Sequence, residues 1–307
     1  MKNDGPETCA PETDAGVRVR TAGVLSDLNL ATVCDAAMCP NRNDCYARHT
    51  ATFLLLGTRC TRNCPFCGVR TTNDDAPPDA PDPGEPQRVA EAVRRLGLRH
   101  VVLTCVTRDD LVDGGAEHFV RTIRAIRSLS TPATPISVEV LPSDFNGKDD
   151  AIATLAAEAP EVYAYNVETV PRLFPVVRDP RASYRTTLHV FDVVRRISPE
   201  TPLKTGFLIG VGETVDELRE TWTDLLRHGV TRLTIGQYLR PGRGNLPVSR
   251  YYSPEEFRYL EELAKKTGFE YVRAGRLVRS SYRAEEMIGA TSDHAGDQIG
   301  VEPAPEK

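Results

Sequence analysis

The chain has 307 residues, is 40% hydrophobic and 26% charged, and carries a net charge of −5. That is the composition of a globular protein with room for one large α/β barrel or two modest domains. Nothing in the charge suggests a nucleic-acid or membrane-seeking surface, and the longest apolar runs fall far short of the roughly 20 residues that span a bilayer. No signal peptide is evident, so a reducing cytoplasmic setting with free thiols is the expectation.

Residues 1–16 are polar, rich in Pro, Asp and Glu, and read as a disordered tail in which Cys9 is a spare thiol. Residues 17–51 form an N-terminal extension that is weakly patterned up to residue 33. Then comes C-D-A-A-M-C-P-N-R-N-D-C, where Cys34, Cys39 and Cys45 have the spacing C-x4-C-x5-C. Thr52–Leu56 is an uncharged apolar run, the pattern of a buried parallel strand. It ends at Gly57, and C-T-R-N-C-P-F-C follows at once, with Cys60, Cys64 and Cys67 at C-x3-C-x2-C. Six of the eight cysteines thus form two triplets.

The number three is informative. Structural zinc closes with four protein ligands, and an iron–sulfur cube is usually held by four thiolates. Three thiolates leave one iron open to a substrate or cofactor. The alternatives for Cys60, Cys64 and Cys67 are a zinc knuckle, which lacks its fourth ligand here, and disulfides, which a reducing compartment disfavours. The first triplet is less diagnostic by itself.

Five prolines and no apolar period make residues 72–86 a loop. Val89, Ala92, Val93 and Leu96 stripe a helix that Gly97 can cap, and Val101–Thr104 reads as a strand. Phe119, Ile123 and Ile126 mark a helix, Ile136–Leu141 a strand, Asp150–Glu158 a short helix and Val162–Val167 a strand. Val190, Val193, Val194 and Ile197 stripe the next helix, before a strand at Leu203–Ile209. Leu218, Trp222, Leu225 and Leu226 stripe a helix stopped at Gly229, and Arg232–Ile235 is a strand. Ser253 and Glu256 form a capping box with Pro at the first helical position, opening a helix that ends at Gly268.

Six strand–helix pairs predict an α/β fold, a partial (β/α)6 TIM-like barrel over residues 52–268. The N-terminal cysteine extension precedes it. A C-terminal closing segment (269–286) and a flexible tail (287–307) follow it.

The loop C-T-R-N-C-P-F-C resembles the cluster loop of radical S-adenosylmethionine (SAM) enzymes. Paired with T-V-C-D-A-A-M-C-P-N-R-N-D-C (32–45), it resembles the lipoyl synthases. The resemblance runs through V-L-T-C-V-T-R-D-D-L-V-D-G-G-A-E-H-F (102–119), Y-N-V-E-T-V-P-R-L-F (165–174), K-T-G-F-L-I-G-V-G-E-T (204–214), G-Q-Y-L-R-P (236–241) and V-R-S-S-Y (278–282), covering roughly residues 28–286.

This resemblance implies a 4Fe–4S cluster on Cys60, Cys64 and Cys67 that cleaves SAM reductively; Phe66 fits a shield over it and equally a simple packing role. It also implies an auxiliary 4Fe–4S cluster on Cys34, Cys39, Cys45 and a serine of R-S-S-Y, Ser281 in preference to Ser280. The auxiliary cluster donates sulfur to C6 and C8 of an octanoyl chain carried on a lysine. Implied partners are an octanoylated lipoyl carrier domain (2-oxoacid dehydrogenase E2 or glycine cleavage H protein) and a small electron donor such as ferredoxin or flavodoxin. Thr104, Asn166, Glu168, Gly206 and Gly210 are the implied SAM contacts. Read without the family, Gly206 and Gly210 fit a strand-to-helix turn and Glu168 fits a salt bridge. Ser280 and Ser281 then fit an ordinary turn, and Cys105 a small buried hydrophobe. Arg108, Asp109, Asp110 and Asp113 either position substrate or brace a loop.

Several positions depart from the family pattern. R-V-R-V-R-T-A-G-V-L replaces a Lys-Pro-x-Trp-Leu-like stretch. Asn245 and Tyr165 stand where histidines are usual, Cys105 for Ser, Thr107 for Asp and Arg276 for Pro. All seven implied cluster ligands are present. These departures also fit a paralogue that inserts sulfur into a different acyl chain. A non-catalytic protein binding zinc or a cluster is the reading from another class.

Overall fold

A computed structural model describes residues 14–36, 39, 41, 52–72 and 77–288. Cys9, Cys45 and most of both expected tails lie outside the described residues.

The strands in chain order are β1 (Thr52–Leu55), the short β2 (Arg59–Cys60) and β3 (Arg70–Thr71), β4 (His100–Cys105), β5 (Ser137–Leu141), β6 (Val162–Ala164), β7 (Leu203–Ile209), β8 (Val230–Gln237) and β9 (Tyr271–Gly275). Seven of them form one parallel sheet in the order β1-β4-β5-β6-β7-β8-β9, while β2 and β3 pair separately. The helices are α1 (Asp14–Asp27), α2 (Val33–Ala36), α3 (Glu85–Leu96), α4 (Ala116–Arg127), α5 (Asp149–Ala156), α6 (Phe174–Val177), α7 (Tyr184–Ile197), α8 (Val215–Arg227) and α9 (Pro254–Thr267). Strand order follows chain order and the ends do not pair, which is a partial barrel. Among the described residues no helix is long and apolar enough to cross a membrane.

The local signals work as chemistry dictates. Gly97 takes φ 64°, the left-handed turn that ends α3. Capping boxes open α8 (Thr214, Glu217) and α9 (Ser253, Glu256). The helices bury one apolar stripe each, and Trp222 of α8 meets Phe207 of β7 edge-on with ring centroids 6.5 Å apart.

Two elements depart from the sequence expectation. The six expected sheet strands become seven, because Tyr271–Gly275 pairs in parallel with β8 from Arg232↔Tyr271 to Gly236↔Gly275. Its side chains are mostly half-exposed, as befits an edge, so it shows no continuous apolar run. The helix Asp14–Asp27 begins inside the expected disordered tail (1–16), whose described residues 14–16 are therefore ordered, and continues through the weakly patterned stretch, where it buries Leu25.

Period-two alternation sends His100, Glu139, Lys204 and Arg232 into the barrel interior, below Thr104, Leu141, Gly206 and Thr234. Lys204 Nζ lies 2.8 Å from Glu139 Oε1, and both side chains are 0% exposed. The Ala284–Met287 turn seats on this layer, where Arg232 Nε donates to Met287 O at 3.1 Å. The C-terminal segment therefore enters the barrel.

Candidate functional site

The second cysteine triplet sits on the loop after β1, at the carboxyl end of the sheet, where α/β barrels place chemistry. Its backbone is held at almost every step. Thr61 N and Oγ1 both donate to Thr107 O at 3.0 Å. The buried Arg62 makes two bonds each to Asp109 and Asp144, at 2.7–3.0 Å. Asn63 N donates to Asp179 Oδ2 at 2.8 Å. Leu246 N donates to Pro65 O at 2.9 Å, and Asn245 Nδ2 donates to Pro65 O and Cys67 O at 3.2 and 2.8 Å.

Each of the three sulfurs accepts one backbone N–H. Arg62 N reaches Cys60 Sγ at 3.4 Å, Asp179 N reaches Cys64 Sγ at 3.3 Å, and Val69 N reaches Cys67 Sγ at 3.4 Å. Such bonds favour thiolate over thiol. Burial works the other way. It pushes the Cys67 thiol up to about 12 and Cys34 up to about 11, and it raises Cys64 against the charge of Arg178.

The end of β6 forms the opposite wall. Glu168 takes φ 71°, a left-handed conformation unusual for a glutamate and characteristic of functional loops. Its backbone bridges to β7, with Glu168 N donating to Gly206 O and Leu208 N to Glu168 O, both at 2.9 Å. Asn166 Nδ2 donates to Glu168 Oε1 at 3.0 Å, and Ser280 Oγ donates to Asn166 Oδ1 at 2.8 Å. Gly206 admits no side chain: a Cβ there would lie 2.7 Å from Ser280 Oγ and 2.8 Å from Asn166 Oδ1. Thr104 lies on the neighbouring wall and donates to Leu141 O at 2.8 Å.

These walls enclose a cavity of about 490 Å³. Cys34, Cys39, Cys60, Cys64, Cys67 and Ser281 all line it, with Phe66, Thr104, Asn166, Glu168 and Gly206. All six described cysteines are free thiols. The two distant chain ends meet here, since Asn41 Nδ2 donates to the Leu277 carbonyl. Among the described residues no three His, Cys, Asp or Glu side chains converge on a single ion. A multi-iron cluster takes its thiolates at separate irons and does not need such convergence.

Some candidates play other parts. Gly210, named as a SAM contact from the sequence, is not on the cavity wall. It takes φ 98° against Gln237 and the Arg250 carbonyl, and Glu213 caps the N–H groups of Gly210, Val211 and Gly212 at 2.6–3.1 Å. Arg108 ties Asp110 to the Leu56 carbonyl, Asp109 serves Arg62, and Asp113 caps Gly115 and Glu117. This is loop bracing.

Sequence reading missed Arg178 and Asp179. Arg178 is buried, donating to Asn166 O at 2.9 Å and Tyr165 Oη at 3.0 Å. Burial alone would raise the Asp179 carboxyl, but Arg181 and the N–H groups of Asn63 and Arg181 hold it well below the usual carboxylate range. No spacing links these residues to Cys64, 115 positions away.

Comparison with known proteins gives the same picture. The radical SAM superfamily model matches residues 54–225. The chain is 48% identical to the lipoyl synthase of Halorhodospira halophila over 91% of this chain and 80% of that protein. It is 49% identical to that of Thermus thermophilus over 86% and 80%. Among solved structures, methylornithine synthase superposes with a TM-score of 0.52 at 14% identity, covering 84% of this chain and 72% of that one. The hydrogenase maturase HydG gives 0.52 at 15%, covering 91% and 71%. These two structures carry the fold alone.

Proposed function

The chain belongs to the lipoyl synthases, radical SAM enzymes that use SAM and two 4Fe–4S clusters for sulfur insertion in lipoyl synthesis, and on that footing we propose its substrate and the roles of its residues. The substrate is an octanoyl chain amide-linked to a lysine of a lipoyl carrier domain, and the new C–S bonds form at C6 and C8. One observation carries the reading: Cys34 and Cys39 of the first triplet, all three cysteines of the second and Ser281 line a single cavity.

Cys60, Cys64 and Cys67 hold the cluster that meets SAM. Cys34, Cys39 and Cys45 hold the auxiliary cluster, with Ser281 as the fourth ligand. Ser280 is the poorer candidate because its hydroxyl is engaged with Asn166. The donor set fits: the described cysteines are free thiols, and each of Cys60, Cys64 and Cys67 accepts one backbone N–H. When bound, these groups supply the electron, the carbon-centred radical and the sulfur, which no acid or base can provide at an unactivated C–H bond.

The protein's own residues supply placement. Gly206, having no Cβ, lets Ser280 and Asn166 pack close against β7 on the chamber wall. Glu168, Asn166 and Thr104 offer polar contacts for the methionyl end of SAM, and the strained Glu168 backbone fixes their direction. Leu54, Val106, Leu141 and Leu208 give the chamber an apolar lining that suits an alkyl chain and excludes water. Asn245 and Tyr165 both have structural work here, on the cluster loop and on Arg178, so these departures give no reason to change the substrate.

The test is anaerobic. Protein reconstituted with iron and sulfide receives SAM, dithionite and an octanoyl-lysine peptide, and mass spectrometry follows the acyl chain and 5′-deoxyadenosine. Gain of two sulfurs is the expected result. Deoxyadenosine without sulfur gain would move the search to a different acyl substrate.

A further inference from the structure

The cavity mouth is electrically lopsided. Three loops leave the carboxyl ends of strands at the split of the barrel: 56–72 after β1, 238–252 after β8 and 276–283 after β9. Within these bounds they hold nine arginines, no lysine and no Asp or Glu, in a chain whose net charge is −5; the rest of the loop after β1, up to α3, carries Asp74, Asp75, Asp79 and Asp82. The loops after β4 to β7 carry acids closer to the strand ends, among them Asp109, Asp144, Asp179 and Glu213.

Three of the nine are spent within the fold: Arg62 on Asp109 and Asp144, Arg250 on Glu256 and Arg283 on Glu286. The other six, Arg59, Arg70, Arg240, Arg243, Arg276 and Arg279, have no carboxylate within ion-pair distance among the described residues. Five of them are exposed. Arg240 and Arg279 also line the cavity, so the rim is continuous with the chamber. Arg59 and Arg70 stand side by side in register on β2 and β3. Like charges gathered on loops at one end of the sheet, with no carboxylate partner among the described residues, repel one another, an arrangement that a partner's carboxylates would relieve. Guanidinium groups suit carboxylates through paired N–H donors.

Resting on the function proposed above, we infer that this arginine rim is the docking surface for the carrier protein, and that the carrier's face around its acylated lysine is acidic. The rim sets the encounter and the orientation that lets the lysine arm enter the chamber. A short acyl-lysine peptide bypasses it. Rim charges act on encounter rates and salt dependence.

The test uses the fully reconstituted enzyme and its Arg243→Glu/Arg276→Glu double variant, with dithionite as reductant. Two substrates are compared, an octanoylated lipoyl carrier domain and an uncharged octanoyl-lysine peptide. Binding of the unacylated carrier domain is titrated separately, because it needs no turnover. The expected results are a KM for the carrier raised about tenfold or more, carrier binding weakened alike and by added salt, and peptide turnover within about twofold of the parent, which also shows that the variant folds. Unchanged carrier binding and KM would overturn the inference. So would intact carrier kinetics with loss of flavodoxin-driven turnover, which would assign the rim to the reductant. Salt-sensitive, rim-dependent carrier binding without sulfur insertion by the parent would uphold the dock and sink the proposed function.

Discussion

Asp179 reaches the cluster loop twice, through its backbone N–H to Cys64 Sγ at 3.3 Å and through its carboxylate to Asn63 N at 2.8 Å. A residue 115 positions downstream thereby fixes the middle cysteine of the second triplet. Asp179→Ala removes the carboxylate and its Arg181 partner while keeping the backbone N–H. Loss of one charge-assisted bond is worth about 1.5–3 kcal/mol. The reconstituted variant should therefore release iron to a chelator about tenfold faster than the parent. Visible absorbance of the cluster under chelator challenge measures this. Equal release rates would remove Asp179 from the positioning role.

Lys204 and Glu139 form a closed pair inside the barrel, each 0% exposed. Burial pushes the Glu139 carboxyl up and the Lys204 amine down, each opposed by the partner's charge. Lys204→Met leaves a buried carboxylate without its cation, at a cost of about 3–5 kcal/mol. The double variant Lys204→Met/Glu139→Leu should recover much of that loss, because both desolvation penalties vanish together. Urea midpoints of parent, single and double variants decide it. A double variant as unstable as the single would contradict this account.

His100 gives the fold an acid sensitivity. Burial, aided by the Lys204 charge, lowers its pKa from 6.5 to about 3, while Nδ1 lies 3.0 Å from Ser137 Oγ and Nε2 has no partner among the described residues. The unfolded chain binds the proton first. This histidine's contribution is therefore complete above pH 6.5 and falls as pH drops from 6.5 towards 3, at up to about 1.4 kcal/mol per unit. His100→Gln should flatten stability between pH 7 and 5 relative to the parent. Identical urea-midpoint slopes against pH would show that His100 does not titrate this way.

Much of this architecture is legible in the chain. Apolar runs such as Leu203–Ile209 and the capping boxes at Thr214 and Ser253 are local signals, and local chemistry made those elements. Strand β9 was hidden because an edge strand alternates exposure and carries Arg273 and Gly275 in place of an apolar run. The cysteines were legible from spacing. The groups that hold them were not, because Asp144, Asp179 and Asn245 reach the loop only through tertiary folding. Gly206 and Gly210 look alike in sequence, yet one faces the chamber and the other a turn.

Cys34 and Cys39 share one chamber with Cys60, Cys64 and Cys67, and on the proposed function the two sets divide the work, one for sulfur and one for SAM. A single-turnover experiment with enzyme reconstituted in heavy-isotope sulfide, parent beside Cys39→Ala, tests it most directly. The parent should place the heavy sulfur on the octanoyl chain, and Cys39→Ala should still form 5′-deoxyadenosine while inserting none. Loss of deoxyadenosine together with sulfur insertion in Cys39→Ala would contradict the division of roles, and light sulfur in the parent's product would contradict the chamber's own cluster as donor.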